Sequence, residues 1–156
     1  MTGHLLSLTD WADKALSGGW KALGGGVIDV LEPATGQPLG RVARANAQDV
    51  REACAFARRA QKTWAALPYG ERARVFRTAA NLLEANRGDY ATWIIRETGG
   101  IQPKAMFEID SVLHLLHEAA AMLTQPRGLV LPSHEGVSSI ARRVPHGVVG
   151  VISPFN

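Results

Sequence analysis

The sequence predicts an α/β fold. Two predicted strands near the start precede four amphipathic helices, and the pattern returns to strands from about residue 128. The last run, Val148 to Ile152, is apolar on both faces, which is typical of a parallel strand covered by helices on each side. Strands, helices and strands in this order favour an α/β arrangement. Because the last strand needs a neighbour, we expect the fold to be incomplete within these 156 residues.

The first two strands are predicted to form a hairpin. They cover Val27–Leu31 and Leu39–Val42, and Pro33 and Gly36 between them supply turn conformations. Residues 1–26 are interpreted as a loosely structured lead-in whose tryptophans pack onto the body of the fold. The glycines of this lead-in match neither a dinucleotide fingerprint nor a phosphate-binding loop, so we interpret them as a flexible linker.

Four helices are predicted next. Asn46 can cap the first, with Asp49 three residues on, and Pro103 opens the fourth at a tolerated first-turn position. The second follows Pro68, and the third closes at Gly99, where glycine serves as a C-cap. On the first helix, the side chains expected to face inward are Val50, Ala53, Cys54, Ala57, Ala60, Trp64 and Leu67. On the second they are Ala73, Phe76, Ala79, Ala80 and Leu83. On the fourth they are Met106, Ile109, Val112, Leu113, Leu116, Ala119, Ala120 and Leu123.

Composition limits the classes of protein that fit. Hydrophobic residues make up 46% and charged residues 20%, and no apolar run approaches the roughly 18 residues of a membrane span, so we expect a soluble chain. The start lacks the pattern of a secretory signal, and one cysteine fits a reducing cytoplasm. The net charge of +3 comes from arginines intermixed with acids, which does not favour nucleic-acid binding.

Two groups of side chains resemble sites but have simpler interpretations. His114 and His117 lie three apart beside Glu118, a spacing that could place two metal ligands on one helical face. No third ligand is evident, so we interpret them as surface or boundary histidines and predict no metal site. Cys54 lies in an apolar stripe, where a buried thiol is usually a packing residue rather than a nucleophile.

The terminal segment Ser153-Pro-Phe-Asn156 is the strongest candidate for a catalytic site. It follows the predicted parallel strand, and open α/β sheets bind ligands at that edge. The uncharged Asn156 amide can donate hydrogen bonds to an oxyanion that forms from a carbonyl. A turn or helix-cap asparagine is the alternative interpretation.

Six ordered motifs carry a resemblance to a known family. The chain from about Val27 to Asn156 resembles the amino-terminal part of an aldehyde dehydrogenase, and the region around Arg96 to Lys104 is similar to the benzaldehyde dehydrogenase branch. The motifs are Pro33-Ala-Thr-Gly36, Ala60-Gln-Lys-Thr-Trp64, Arg96-Glu-Thr-Gly99, Pro103-Lys104, Arg143-Val-Pro-His-Gly147-Val-Val-Gly150 and Ser153-Pro-Phe-Asn156. The resemblance covers nearly all of this chain and roughly the first third of a family subunit.

The resemblance implies an activity for the full-length protein. The family oxidises an aldehyde, here an aromatic one, to a carboxylic acid through a cysteine thiohemiacetal, with hydride transfer to NAD or NADP and NAD favoured. Asn156 matches the family's oxyanion-hole asparagine. The turn that lines the nicotinamide side of the cofactor cleft matches Ile152, Ser153, Pro154 and Phe155. The resemblance also implies a homo-oligomer.

The same resemblance implies a division into regions. We assign residues 27–127 to the amino-terminal part of a Rossmann-like cofactor-binding domain, 128–146 to oligomerisation-type strands and 147–156 to the first strand of the cofactor-binding sheet. No residue matches the family's nucleophilic cysteine or general-base glutamate, so this chain alone is expected to be inactive. A stand-alone helical interaction module formed by the four helices is the alternative.

Overall fold

The computed structural model describes residues 8–153 and follows the predicted order of strands, helices and strands. Its strands pair as three separate antiparallel two-stranded sheets within the described range. The elements are α1 (Leu8–Trp11), β1 (Ala15–Leu16), β2 (Trp20–Lys21), β3 (Val27–Leu31), β4 (Pro38–Ala43), α2 (Ala47–Ala66), α3 (Tyr69–Ala85), α4 (Arg87–Thr98), α5 (Gln102–Met122), β5 (Gly128–Leu131) and β6 (Ser139–Arg142).

The segment before β3 is more ordered than the sequence suggested. It holds α1 and the short hairpin β1–β2, and its backbone joins β4, with the Asp13 N–H donating to Arg41 O at 3.0 Å. The flexible-linker interpretation is wrong for Gly25, because a Cβ there would lie 2.5 Å from Arg44 O. Glycine is required at that point so that two backbone segments can approach closely. The packing of Trp11 is confirmed, since it is 8% exposed.

The hairpin β3–β4 is confirmed within a residue or two of its predicted bounds. Val27 pairs with Ala43 and Ile28 with Val42, and the register shifts between Val30 and Leu31, next to the turn. That turn presents Glu32 and the residues that follow it toward the end of α4.

Helix α2 begins as predicted but is not buried as predicted. The Asn46 side chain accepts hydrogen bonds from the N–H groups of Gln48 and Asp49, and Asp49 accepts from the Asn46 N–H, which completes a capping box. None of its residues is buried, and Cys54 is exposed. The inward stripe is therefore left largely uncovered, because the described part of the chain packs little against it beyond an edge contact of Trp64 with Phe76.

Helices α3, α4 and α5 pack together and form the main core. The buried side chains at their interfaces are chiefly alanines, which let helices approach closely, and Ile109 is the largest of them at 2% exposure. The Gly99 C-cap and the early proline of α5 are both present as predicted. His114 and His117 are exposed on α5, as expected for surface histidines.

After the helices, β5 and β6 pair with Gly128 opposite Arg142, which confirms the predicted return to strands from about residue 128. The last predicted strand is absent, since residues 147–153 contain no strand and Ile152 is 94% exposed. A parallel strand needs a hydrogen-bonded neighbour and covered faces, and the described residues supply neither. Within the described range, no helix has the length and apolar character needed to cross a membrane.

Candidate active-site edge

The predicted catalytic segment lies partly outside the described residues. Pro154, Phe155 and Asn156 are not among them, so their predicted roles stay predictions. Ile152 and Ser153 are described, and both are exposed in an irregular segment. Among residues 8–153, the structure does not bring these two together with any other candidate group.

The segment that leads to this edge runs beside α2. Pro145, His146 and Gly147 line a groove whose other wall includes Arg58 and Arg59 of α2. Val148 borders an apolar groove that Leu16, Cys54 and neighbouring residues also line. Residues 145–148 therefore lie against the uncovered face of α2.

The described residues do not form a nicotinamide pocket. Ile152 and Ser153 are the described members of the predicted cofactor turn, and the exposed fraction of Ile152 is 94%. Dinucleotide sites enclose the cofactor between loops at a sheet edge, and no such sheet is present in the described range. The assignment of this turn to a cofactor cleft therefore stays a prediction.

Two of the six motifs that carry the resemblance, the one from Pro33 to Gly36 and the one from Arg96 to Gly99, lie close together. Arg96, near the end of α4, donates from Nε to Glu32 Oε1 at 3.0 Å, across 64 positions of sequence. Thr35 donates from its hydroxyl to the other carboxylate oxygen at 3.0 Å. These contacts hold the β3–β4 turn against the carboxyl end of α4, which assigns both motifs a structural role.

The ion pair changes the titration of Glu32. The hydrogen bond from Arg96, followed by that from Thr35, lowers the pKa of the carboxyl below its ordinary value of 4.5 because both favour the charged form. A lowered pKa in the folded state means that the pair contributes its full stability above pH 4.5 and loses it as the pH falls through the folded-state pKa.

We expect Glu32→Gln to remove this pH dependence. Near neutral pH, the wild-type protein should melt at a higher temperature than the variant, and the difference should shrink below pH 4.5 as Glu32 becomes protonated. Thermal melts of both proteins across acidic pH measure it. Glu135→Gln, at an exposed turn, is the matched control, and a difference that grows on acidification would contradict the assignment.

Gly99 is the second contact between the two motifs. Its φ is +70°, and a Cβ added there would lie 3.3 Å from Pro33 Cβ. We expect Gly99→Ala to destabilise the protein by about 1–2 kcal/mol, the cost of a left-handed conformation for an L-residue. Gly88→Ala in the same helix meets open space and should stabilise it by about 0.5–1 kcal/mol. Urea unfolding of both variants tests the opposite signs, and equal effects would contradict this account.

Sequence reasoning missed the ion pair. Gly99 was predicted at a helix end and Pro33 in a turn, but no contact between the two regions was predicted. The available signal was the pair of opposite charges: Glu32 directly precedes the motif that begins at Pro33, and Arg96 begins the motif that ends at Gly99.

Comparison with known proteins decides the family. The model of the aldehyde dehydrogenase family matches residues 20–156, which is most of the chain. The chain belongs to the aldehyde dehydrogenase family. The predicted resemblance is confirmed, and the match includes helices α2 to α5, so these four are part of the family fold rather than a separate helical module.

The most similar relatives include dehydrogenases of aromatic aldehydes. The chain is 46% identical over 146 residues to a vanillin dehydrogenase of Amycolatopsis sp., and 42% identical over 147 residues to an NAD(+) benzaldehyde dehydrogenase of Pseudomonas putida. Each alignment covers 94% of this chain and 30% of the relative. The chain thus spans about 30% of the length of the curated relatives it matches.

Solved structures agree with the fold. An NAD-dependent benzaldehyde dehydrogenase from Corynebacterium glutamicum matches with a TM-score of 0.75 and 27% identity, over 87% of this chain and 29% of that one. An NADP-dependent enzyme from E. coli matches with a TM-score of 0.77 and 30% identity, over 83% of this chain and 27% of that one. The predicted incomplete aldehyde dehydrogenase fold is therefore confirmed.

Proposed function

We propose that this chain is the amino-terminal part of an NAD(P)-dependent dehydrogenase that oxidises an aromatic aldehyde to the carboxylic acid. The observation that carries the proposal is the similarity over 94% of the chain to vanillin and benzaldehyde dehydrogenases. The relatives include proteins described with NAD and with NADP, and we favour NAD. The oligomerisation role of residues 128–146 and the cofactor-sheet role of 147–156 are part of the same proposal.

In this proposal Asn156 stabilises the reacting carbonyl. Its side-chain amide donates a hydrogen bond to the substrate oxygen, and that bond strengthens as negative charge builds there during nucleophilic attack. The nucleophile, the general base and most of the cofactor site belong to the remainder of the full-length protein. The exposed Cys54 is not proposed to replace the nucleophile, because the family's nucleophilic cysteine is expected in the remainder of the full-length protein.

The large uncovered apolar surface supports the same proposal. Several exposed side chains lie on α2, on β5–β6 and after β6, among them Val50, Val130, Val144 and Ile152. Exposed apolar surface that is extensive in this way usually marks contacts with further protein. We propose that the remaining part of the dehydrogenase covers α2 and the segment 147–153.

A chimera tests this function. We join residues 1–156 to the part of the Pseudomonas putida benzaldehyde dehydrogenase that follows the aligned region and assay benzaldehyde with NAD. We expect the chimera to form NADH only when benzaldehyde and NAD are both present. Residues 1–156 alone should form none. NADH formation by residues 1–156 alone would contradict the proposal. So would an inactive chimera whose circular dichroism and oligomeric size match those of the parent.

A further inference from the structure

A cavity lies between the amino-terminal segment and α4. Its volume is about 490 Å³, within the range of about 300–1,000 Å³ that is common for small-molecule sites. Four aromatic side chains line it: Trp11, Trp20, Tyr90 and Trp93. Trp11 and Trp93 meet edge to face with their ring centroids 5.5 Å apart, so two of the lining rings pack directly against each other.

The wall of this cavity contains an unsatisfied donor. Trp11 is 8% exposed, and its indole Nε1 is buried without a hydrogen-bond partner in the described part of the chain. A buried indole N–H usually finds an acceptor, because leaving it unpaired is costly. A ligand with an acceptor oxygen would offer this donor the partner that the described residues do not supply.

The charged lining is balanced. Lys14 donates to the carbonyls of Thr9 and Asp10 at 3.2 Å each, and Arg96 uses Nε for Glu32, so both cations retain further donors. The carboxylates of Asp89 and Glu97 also line the cavity. Opposite charges in equal number favour a neutral or singly charged polar group on the ligand over a highly charged one.

We propose that this cavity, hereafter the tryptophan pocket, binds a planar aromatic molecule that carries a carbonyl or carboxylate oxygen. Its ring stacks among the four aromatic side chains, and its oxygen accepts from the indole of Trp11 with Lys14 or Arg96 nearby. Aromatic rings and cations give such a ligand both contact area and polar specificity. The inference rests on the pocket itself and does not depend on the proposed enzymatic activity.

The four tryptophans of the sequence provide a direct test. The full-length polypeptide, as its native source makes it, is labelled with 5-fluorotryptophan. Its fluorine resonances are assigned by single Trp→Phe substitutions. Benzamide, which is neutral, and benzoate, which is charged, are then titrated separately. We expect the resonances of Trp11, Trp20 and Trp93 to move together along one saturable curve. Trp64, which does not line the pocket, should stay in place.

Variants separate this pocket from other binding sites. Trp20 is 43% exposed, so Trp20→Ala should fold while weakening the affinity read from Trp11 and Trp93 by about fivefold, and Trp20→Phe should restore most of it. Phe107→Ala, an exposed aromatic outside the pocket, is the matched control. Unmoved pocket resonances with both probes, or an affinity that Trp20→Ala leaves unchanged, would overturn the proposal. Aldehyde oxidation is measured separately, so its failure would leave this result intact.

Discussion

Replacing Asn156 by alanine in the full-length dehydrogenase is expected to lower kcat by about 10²–10³-fold, the usual cost of losing one oxyanion-hole donor. The amide is proposed to bind the substrate oxygen more strongly in the transition state than in the ground state, so kcat and kcat/KM should fall together. Steady-state kinetics with benzaldehyde and NAD measure both.

Asn81→Ala is the matched control for this substitution, since Asn81 is an exposed residue of α3. It should leave kcat within about twofold, because surface substitutions away from specific interactions have small effects. Retention of more than half of the wild-type kcat by Asn156→Ala would contradict the oxyanion role and would favour the turn or cap interpretation of this asparagine.

Ile109→Ala is expected to cause the largest loss of stability among single substitutions in the described core. Ile109 lies on α5 and is 2% exposed, and it packs with Ala91 of α4, Ala105 and partly buried neighbours. Truncation should cost about 2–5 kcal/mol, because apolar contacts are lost and a cavity remains. Urea unfolding of the full-length protein measures the change in free energy.

Leu115→Ala on the same helix is the control for the core substitution. Its side chain is 63% exposed, so the loss of stability should be much smaller than for Ile109→Ala. Equal losses at the two positions would mean that the remainder of the protein covers the outer face of α5 as tightly as α4 covers the inner one.

Local signals in the sequence predicted most helix and strand positions. The capping box at Asn46, the C-cap at Gly99 and the proline that opens α5 each satisfy backbone groups at a specific helix end. Such signals act within a few residues, so one sequence suffices to detect them. The inward faces of α3 and α5 were also predicted well, because both helices pack against each other within the described range.

Burial of α2 and of residues 147–153 could not be predicted in the same way. Periodicity identifies an apolar face but not the element that covers it, and within the described residues nothing covers most of α2. Cys54 is consequently exposed here, although it lies on the apolar stripe. The run from Val148 has the composition of a buried strand, but a strand forms only with a hydrogen-bonded neighbour.

For the candidate site, too, the sequence predicted single residues but not contacts between distant parts of the chain. Glu32 and Arg96 are far apart in sequence, and only the fold shows that they hold the hairpin against α4. The tryptophan pocket likewise combines α4 with the amino-terminal segment, which the sequence suggested only as a place where indoles pack. Asn156 was identified by its chemistry and by resemblance, and its role depends on groups that the described residues do not include.

The intact mass of the native polypeptide tests the central claim most directly. An antibody raised against residues 47–124 captures the protein from its native source, and mass spectrometry measures it. The chain is 16.8 kDa and spans about 30% of its relatives, so a mass about three times as large is expected for a complete dehydrogenase. A single species of 16.8 kDa would contradict the proposal that these residues function as part of a longer enzyme.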